Sequence, residues 1–285
     1  MLSYQHEYHA GNKADILKHI CLTLILQSLC KKDKAFTVID THASVGRFFL
    51  NDEKLVKTGE AVRGIQKLFD FYKTSSLFLP EGIRLYLEKE EPYLEKGLYA
   101  GSPELERLFM RKGDSLFLIE KHPQALRALQ ENIEKDILVN GENGYAEKKA
   151  EVRAFVKNAD SYESLNALTP PKIKRGLIIC DPSFEDLSDY KQVTEALSLA
   201  RKKWNTGIIA LWYPILDHKK NETAKMLSAL EDMAKLGLNP TSSFRCEFTF
   251  EEKNLSGSGM LVINPPWQLK EKLEESISLL SKLFD

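Results

Sequence analysis

Short apolar runs that end on acidic residues recur along this chain, and they restrict it to one broad class of fold. Gly176-Leu177-Ile178-Ile179-Cys180 leads directly into Asp181-Pro182-Ser183-Phe184. A continuous apolar run of that length, without alternation, reads as a strand buried on both faces, as in parallel sheets covered by helices. Phe36-Thr37-Val38-Ile39 runs into Asp40, and Ser115-Leu116-Phe117-Leu118-Ile119 runs into Glu120. Glu151 to Val156 reads as a further strand that ends at Asn158-Ala159-Asp160, and Gly207 to Tyr213 as a fifth.

Helical patterns alternate with these runs. Ile16, Leu17, Ile20, Cys21, Leu24, Ile25 and Leu29 mark one apolar face of a helix over about 13–32. Further helices are expected near 103–111 and 123–135. Two late strands, about 243–250 and 259–264, flank Ser256-Gly257-Ser258-Gly259 and can pair as a hairpin. The expected fold is α/β, a mostly parallel sheet with an antiparallel edge. Residues 52–98 interrupt the alternation with helical stretches at about 58–73 and 80–90 and no clear buried strand. They read as a helical insertion, which leaves 1–51 and 99–285 as the main domain.

The 285 residues suffice for one large α/β domain with such an insertion, and 43% hydrophobic residues supply a core. The net charge of −1 gives no global argument for nucleic acid, so any such surface is a local patch. Cys21, Cys30, Cys180 and Cys246 are scattered, which favours reduced thiols in the cytoplasm over a disulfide or zinc framework. The first residues lack a leader pattern, and no apolar run approaches the roughly 18 residues of a membrane span. His6, His9 and His19 lie near one another without zinc-ligand spacing, so no metal is expected.

In a doubly wound sheet the strand ends converge on one crevice, so Asp40, Glu120, Asp160 and Asp181 are candidates for one site. Carboxylates suit a ligand with hydroxyl and amino donors, such as S-adenosylmethionine; any one of them could equally be a helix N-cap. Thr41 to Gly46 holds only one glycine, which disfavours the phosphate cradle of a dinucleotide site. Asp181-Pro182-Ser183-Phe184 resembles the Asp-Pro-Pro-Tyr/Phe signature of amino-group methyltransferases. There a carboxylate accepts from an exocyclic amino group, proline stiffens the turn, and an aromatic ring stacks on the base. An ordinary proline turn after a strand would look the same. Residues 1–73 hold 11 Lys/Arg against 8 Asp/Glu. With Tyr4, Tyr8, Lys13, Lys18 and Arg47 they could form an RNA-facing rim or only a solvated face.

The segment from Met1 to His19, MLSYQHEYHAGNKADILKH, closely resembles the start of the RlmJ family of 23S ribosomal RNA adenine-N6 methyltransferases. The likeness continues at Asp40-Thr41-His42-Ala43, Gly101-Ser102-Pro103, Glu120-Lys121-His122-Pro123, Asp181-Pro182, Ala210 to Pro214 and Ser258 to Trp267. It implies a Rossmann-like class I methyltransferase that uses S-adenosylmethionine and modifies one adenine, position 2030 in the family, of 23S rRNA. The RNA partner is expected to be unassembled and the protein a monomer. By motif, Lys18, His19, His42, Ser102, Glu120, Asp160, Ser161 and Asp181 would line the donor site. Asp181, Pro182 and Phe184 would form the catalytic turn, and Tyr4 would touch the RNA. The family has also been linked to use of external DNA. The alternatives are therefore a DNA adenine methyltransferase and a catalytically weak nucleic-acid-binding protein. Two departures stand out: Ser44 replaces a glycine of the family's loop, and Ser183 replaces a proline of its turn.

Overall fold

The computed structural model describes residues 8–134, 153–236, 239–252 and 255–285. The chain opens with helix α1 (Lys13–Cys30), strand β1 (Thr37–Asp40) and the short β2 (Arg47–Phe49). The interrupting segment holds α2 (Glu53–Thr58), a π-helical turn at Val62–Gln66 that continues as α3 (Lys67–Thr74), and α4 (Glu81–Leu94). Next come β3 (Leu98–Ala100), α5 (Ser102–Phe109), β4 (Ser115–Ile119) and α6 (Pro123–Glu134). Then follow β5 (Arg153–Lys157), α7 (Ser161–Leu168), β6 (Gly176–Cys180), α8 (Leu187–Lys203) and β7 (Ile208–Ile215). The described chain closes with α9 (Lys220–Leu236), β8 (Ser243–Glu252), β9 (Leu255–Ile263) and α10 (Leu269–Phe284).

Seven strands form one sheet in the order β5-β4-β1-β6-β7-β9-β8. The first five are parallel; β9 runs antiparallel to β7 and β8 antiparallel to β9, so the expected edge hairpin is present. This is the class I methyltransferase arrangement. The chain leaves β1 for β4 and β5 on one side, then returns to β6 on the other. Between those two departures lies the topological switch point, where an open α/β sheet forms its crevice.

Successive side chains explain the unbroken apolar runs. Leu177 and Ile179 enter one core layer, with α1, α4, α5 and α10, while Ile178 and Cys180 enter the other, with α8 and α9. Period-two alternation then has apolar neighbours on both faces. At roughly 25 cal/mol per Å² of apolar surface removed from water, these layers dominate the favourable side of folding.

α1 departs from the single apolar face expected of it. Leu22, Leu26, Lys18 and His19 are buried along with the marked residues. The reason is the interrupting segment: Ile83, Tyr86 and Leu87 of α4 share one apolar cluster with Ile16, Ile20 and Leu24 of α1. The segment's two ends meet through a small sheet in which Arg47 pairs with Ala100 and Phe49 with Leu98. Three-residue strands carry too little pattern to be read from sequence. Gly64 in the π turn admits the chain from Gly11, whose carbonyl would lie 2.2 Å from any Cβ added there. The Gly11 carbonyl accepts from Ile65 N at 2.9 Å, and His9 Nδ1 meets Glu60 at 2.9 Å. That contact raises the His9 pKa through hydrogen bonding to Glu60. Among the described residues no helix is long and apolar enough to cross a membrane.

Candidate active site

The carboxyl ends of β1, β4, β5 and β6 open into a cavity of about 310 Å³. Lys18, His19, His42, Ser102, Glu120, Asp160, Ser161, Asp181 and Pro182 all line it. Lys18 and Asp181, 163 positions apart in sequence, therefore face one space.

Each strand-end acid is held differently. Asp40 ends β1 and is 1% exposed. It accepts from Ser102 Oγ at 2.6 Å and from His42 N at 2.9 Å. Burial pushes its pKa up to about 6, against the opposing pull of those two bonds. Asp40 thus sits beneath the cavity and fixes two residues that line it. Glu120 accepts Ser44 N at 2.9 Å on one oxygen and His122 N at 2.6 Å on the other. Asp160 is the N-cap of α7, as the cap reading of such acids allowed, and accepts from Tyr162 N at 3.0 Å and Glu163 N at 3.3 Å. Its second oxygen meets Lys121 Nζ at 3.1 Å. Ser161 Oγ donates to Thr41 O at 2.6 Å, which ties α7 to the loop after β1. Burial lowers the His42 pKa to about 4, so that ring is neutral near pH 7.

Asp181 differs from these three. Lys18 Nζ reaches Asp181 Oδ2 at 2.5 Å and Asp15 Oδ1 at 2.7 Å. Burial would lower the lysine pKa; the two carboxylates outweigh it and the ammonium is held charged. Asp181 keeps 18% side-chain exposure. Pro182 is buried and Ser183 is exposed at the cavity mouth.

Phe184 corrects the expectation that its ring stacks on a base. It adopts φ +51°, is 1% exposed and does not line the cavity. The left-handed backbone turns the ring inward, 4.7 Å from Tyr190 and 6.3 Å from Trp212. It anchors the turn in the core. Lys219 Nζ donates to Phe184 O at 2.7 Å and Glu185 O at 2.9 Å, which holds the same turn from outside.

The proposed rim of cations is corrected as well. Lys13 is buried, 3.6 Å from Glu252 and over the rings of Phe250 and Phe284. Arg47 is buried against Asn132 and Glu104, and Lys18 serves the site itself. Burial is possible because each cation faces an acceptor inside the fold. Tyr4 and His6 lie outside the described residues. Among the described residues no three His, Cys, Asp or Glu side chains converge as metal ligands would.

Sequence reading missed Asp15, Lys219 and Tyr162. Tyr162 lines the cavity edge-on to His42, with ring centroids 6.0 Å apart. Asp15 lies one helical turn before Lys18, a spacing that puts the two on the same face and could have signalled the pair. Nothing in sequence places Lys219 beside Phe184.

A family model described as "Ribosomal RNA large subunit methyltransferase D, RlmJ" matches residues 33–284. The chain is 35% identical to ribosomal RNA large subunit methyltransferase J of Escherichia coli (strain K12), over 99% of this chain and 94% of that protein. It is 36% identical to the Haemophilus influenzae protein of the same name, over 99% and 94%. A crystal structure of a Legionella pneumophila protein, 28% identical, superposes with a TM-score of 0.79 over 97% of this chain and 94% of that one. With two full-length relatives above 30% identity and a family model over most of its length, the chain belongs to the ribosomal RNA large subunit methyltransferase J family.

Proposed function

We propose that this chain transfers a methyl group from S-adenosylmethionine to the N6 amino group of one adenine in 23S ribosomal RNA. One observation carries the reading: a single cavity joins a wall of braced strand-end acids to the Asp181-Pro182 turn. The names of the curated relatives support large-subunit ribosomal RNA as the substrate class.

The residues fit the donor. When bound, S-adenosylmethionine supplies an electrophilic methyl on a sulfonium. Each Glu120 oxygen accepts one backbone N–H, and a carboxylate has about four acceptor sites. Capacity therefore remains for ribose hydroxyls. Asp160 and Ser161, at the start of α7, take the adenine end. His19, His42, Ser102 and Lys18 enclose the remainder. The loop after β1 braces Glu120 through Ser44 N instead of cradling phosphate.

Asp181 accepts from the target amino group through the oxygen that Lys18 does not hold. That bond concentrates the nitrogen lone pair, which is otherwise delocalised into the ring, and orients it for in-line attack. Pro182 and buried Phe184 fix where the turn's carbonyls point. Asp181 is recessed, so the base must leave its stack to arrive. Looped or single-stranded RNA presents it most easily, which favours RNA not yet assembled into a subunit. A monomer in the cytoplasm meets these needs.

The test incubates purified protein with labelled donor and unmodified 23S rRNA, with Asp181→Ala as control. Transfer to N6 of one adenine, abolished in the variant, is expected. No transfer above the control would sink the reading. Transfer to duplex DNA alone would replace the substrate, and donor binding without transfer would make the chain a binding protein.

A further inference from the structure

His19 lines the cavity from α1, and its other face meets two tyrosines the site does not otherwise use. Tyr99 of β3 places its hydroxyl 2.8 Å from His19 Nδ1, with the two rings stacked at 5.7 Å. Tyr86 of α4 places its hydroxyl 3.4 Å from that of Tyr99, and its ring lies edge-on to His19 at 5.8 Å. Both tyrosines are 0% exposed and His19 is 1% exposed. Ala100 N donates to Glu90 Oε2 at 3.1 Å, which fixes β3 against α4 beside this pair.

We infer that Tyr99 and Tyr86 set the tautomer of His19, so that the imidazole offers an N–H, not a lone pair, to the ligand in the cavity. A proton count decides the direction. If His19 Nδ1–H donated to Tyr99, the Tyr99 proton would pass to Tyr86, and the Tyr86 proton would need a further acceptor. Among the described residues none lies within hydrogen-bond distance of it, and burial excludes bulk water. In the opposite sense Tyr86 donates to Tyr99 and Tyr99 donates to Nδ1, and every buried hydroxyl proton is satisfied. Nδ1 is then the acceptor and Nε2 carries the hydrogen, because the bond at one ring nitrogen dictates the state of the other. Tyr86 belongs to the interrupting segment, so that segment supplies the back of the donor site. Tyr99 and Tyr86 are positioning residues: they act through His19. The ligand's identity rests on the proposed function; the tautomer does not.

The experiment has a readout independent of activity. Nitrogen-15 imidazole spectra of the full-length, ligand-free protein are expected to show His19 with Nδ1 unprotonated. Tyr99→Phe should move that signal toward a mixture of tautomers. It should also raise the KM for S-adenosylmethionine about three- to tenfold, the scale of one net hydrogen bond, with kcat within about twofold. Tyr86→Phe should act in the same direction and more weakly. His19→Gln keeps an N–H donor near the Nε2 position, so adding Tyr99→Phe to it should change KM no further. A protonated Nδ1 in the parent, or a Tyr99→Phe spectrum identical to it, overturns the inference. If S-adenosylmethionine does not bind at all, the proposed function fails while the spectra still decide the tautomer.

Discussion

The wall built on β1, β4 and β5 and the turn that follows β6 use their carboxylates in opposite ways. Glu120 and Asp160 are each held by two backbone N–H groups, Asp160 also by the exposed Lys121, and Asp40 by a serine hydroxyl and a backbone N–H. Backbone donors of this kind are placed by the fold itself. Asp181 instead meets one side-chain cation, Lys18, which it shares with Asp15. A carboxylate braced by backbone suits repeated binding of one small molecule in one pose. A carboxylate paired with a side chain can shift its bonding when a base arrives. Under the proposed function, rigidity is placed where the donor would bind, and adjustability where the large acceptor would enter.

Removing the shared cation should break this comparison most severely. Lys18→Met leaves Asp15 and Asp181 facing each other in a buried site, and losing one partner of such a cluster costs about 3–5 kcal/mol. A fall in thermal midpoint of many degrees is expected in calorimetry; an unchanged midpoint would show that water already screens the pair. Glu120→Gln attacks the braced wall. Charge-assisted hydrogen bonds contribute about 1.5–3 kcal/mol, so donor affinity should fall roughly tenfold or more by titration. The melting temperature should fall as well, because the amide NH2 cannot accept one of the two backbone N–H groups.

The turn offers a subtler test. Lys219 holds Phe184 O and Glu185 O, and Ser183 N–H finds no acceptor among the described residues. Lys219→Met should lower kcat by about fivefold, from about 1 kcal/mol of lost positioning. Ser183→Pro in the same chain should restore part of that loss, since the ring removes no hydrogen bond and stiffens the turn. Rescue that fails, with kcat lowered further, would mean that Ser183 needs its freedom. On the braced side, Ser44 sits at φ +53°, a region costly for any side chain. Ser44→Gly should stabilise the fold by about 0.5–1 kcal/mol in denaturant unfolding.

The braced wall was the more legible half. Strand-end acids follow from apolar runs, and a sheet's topology brings them together whatever the side chains do. What fell short were contacts set by tertiary packing. Phe184 read as a stacking ring because its sequence neighbours are an acid and a proline; only the left-handed backbone and the nearby Tyr190 and Trp212 show that it faces inward. Lys13 and Arg47 read as surface cations because their partners, Glu252, Glu104 and Asn132, lie far along the chain. Tyr99 and Tyr86 carried no motif, and their role emerges only where α4 packs on α1.

The smallest net effect expected of the parent chain is a cancellation within the braced wall. Asp40 titrates near 6 when folded and near 3.8 when unfolded, so the folded state holds the extra proton between those values. Its contribution is full below about 3.8 and is lost as pH rises through 6. His42 titrates near 4 when folded and near 6.5 when unfolded, so there the unfolded state holds the extra proton. Its contribution is full above 6.5 and is lost as pH falls through 4. Through the window from about 4 to 6 the two slopes oppose each other, and His42 N donates to Asp40 in the same turn. Relative to the parent, Asp40→Asn should therefore gain stability as pH rises through that window, and His42→Gln should lose it. Each difference should be about 2 kcal/mol across the range, at about 1.4 kcal/mol per pKa unit. Urea unfolding at three pH values measures both. A flat difference for either variant would mean that the wall is less rigid than its hydrogen bonds imply, because that group would then titrate as it does in water.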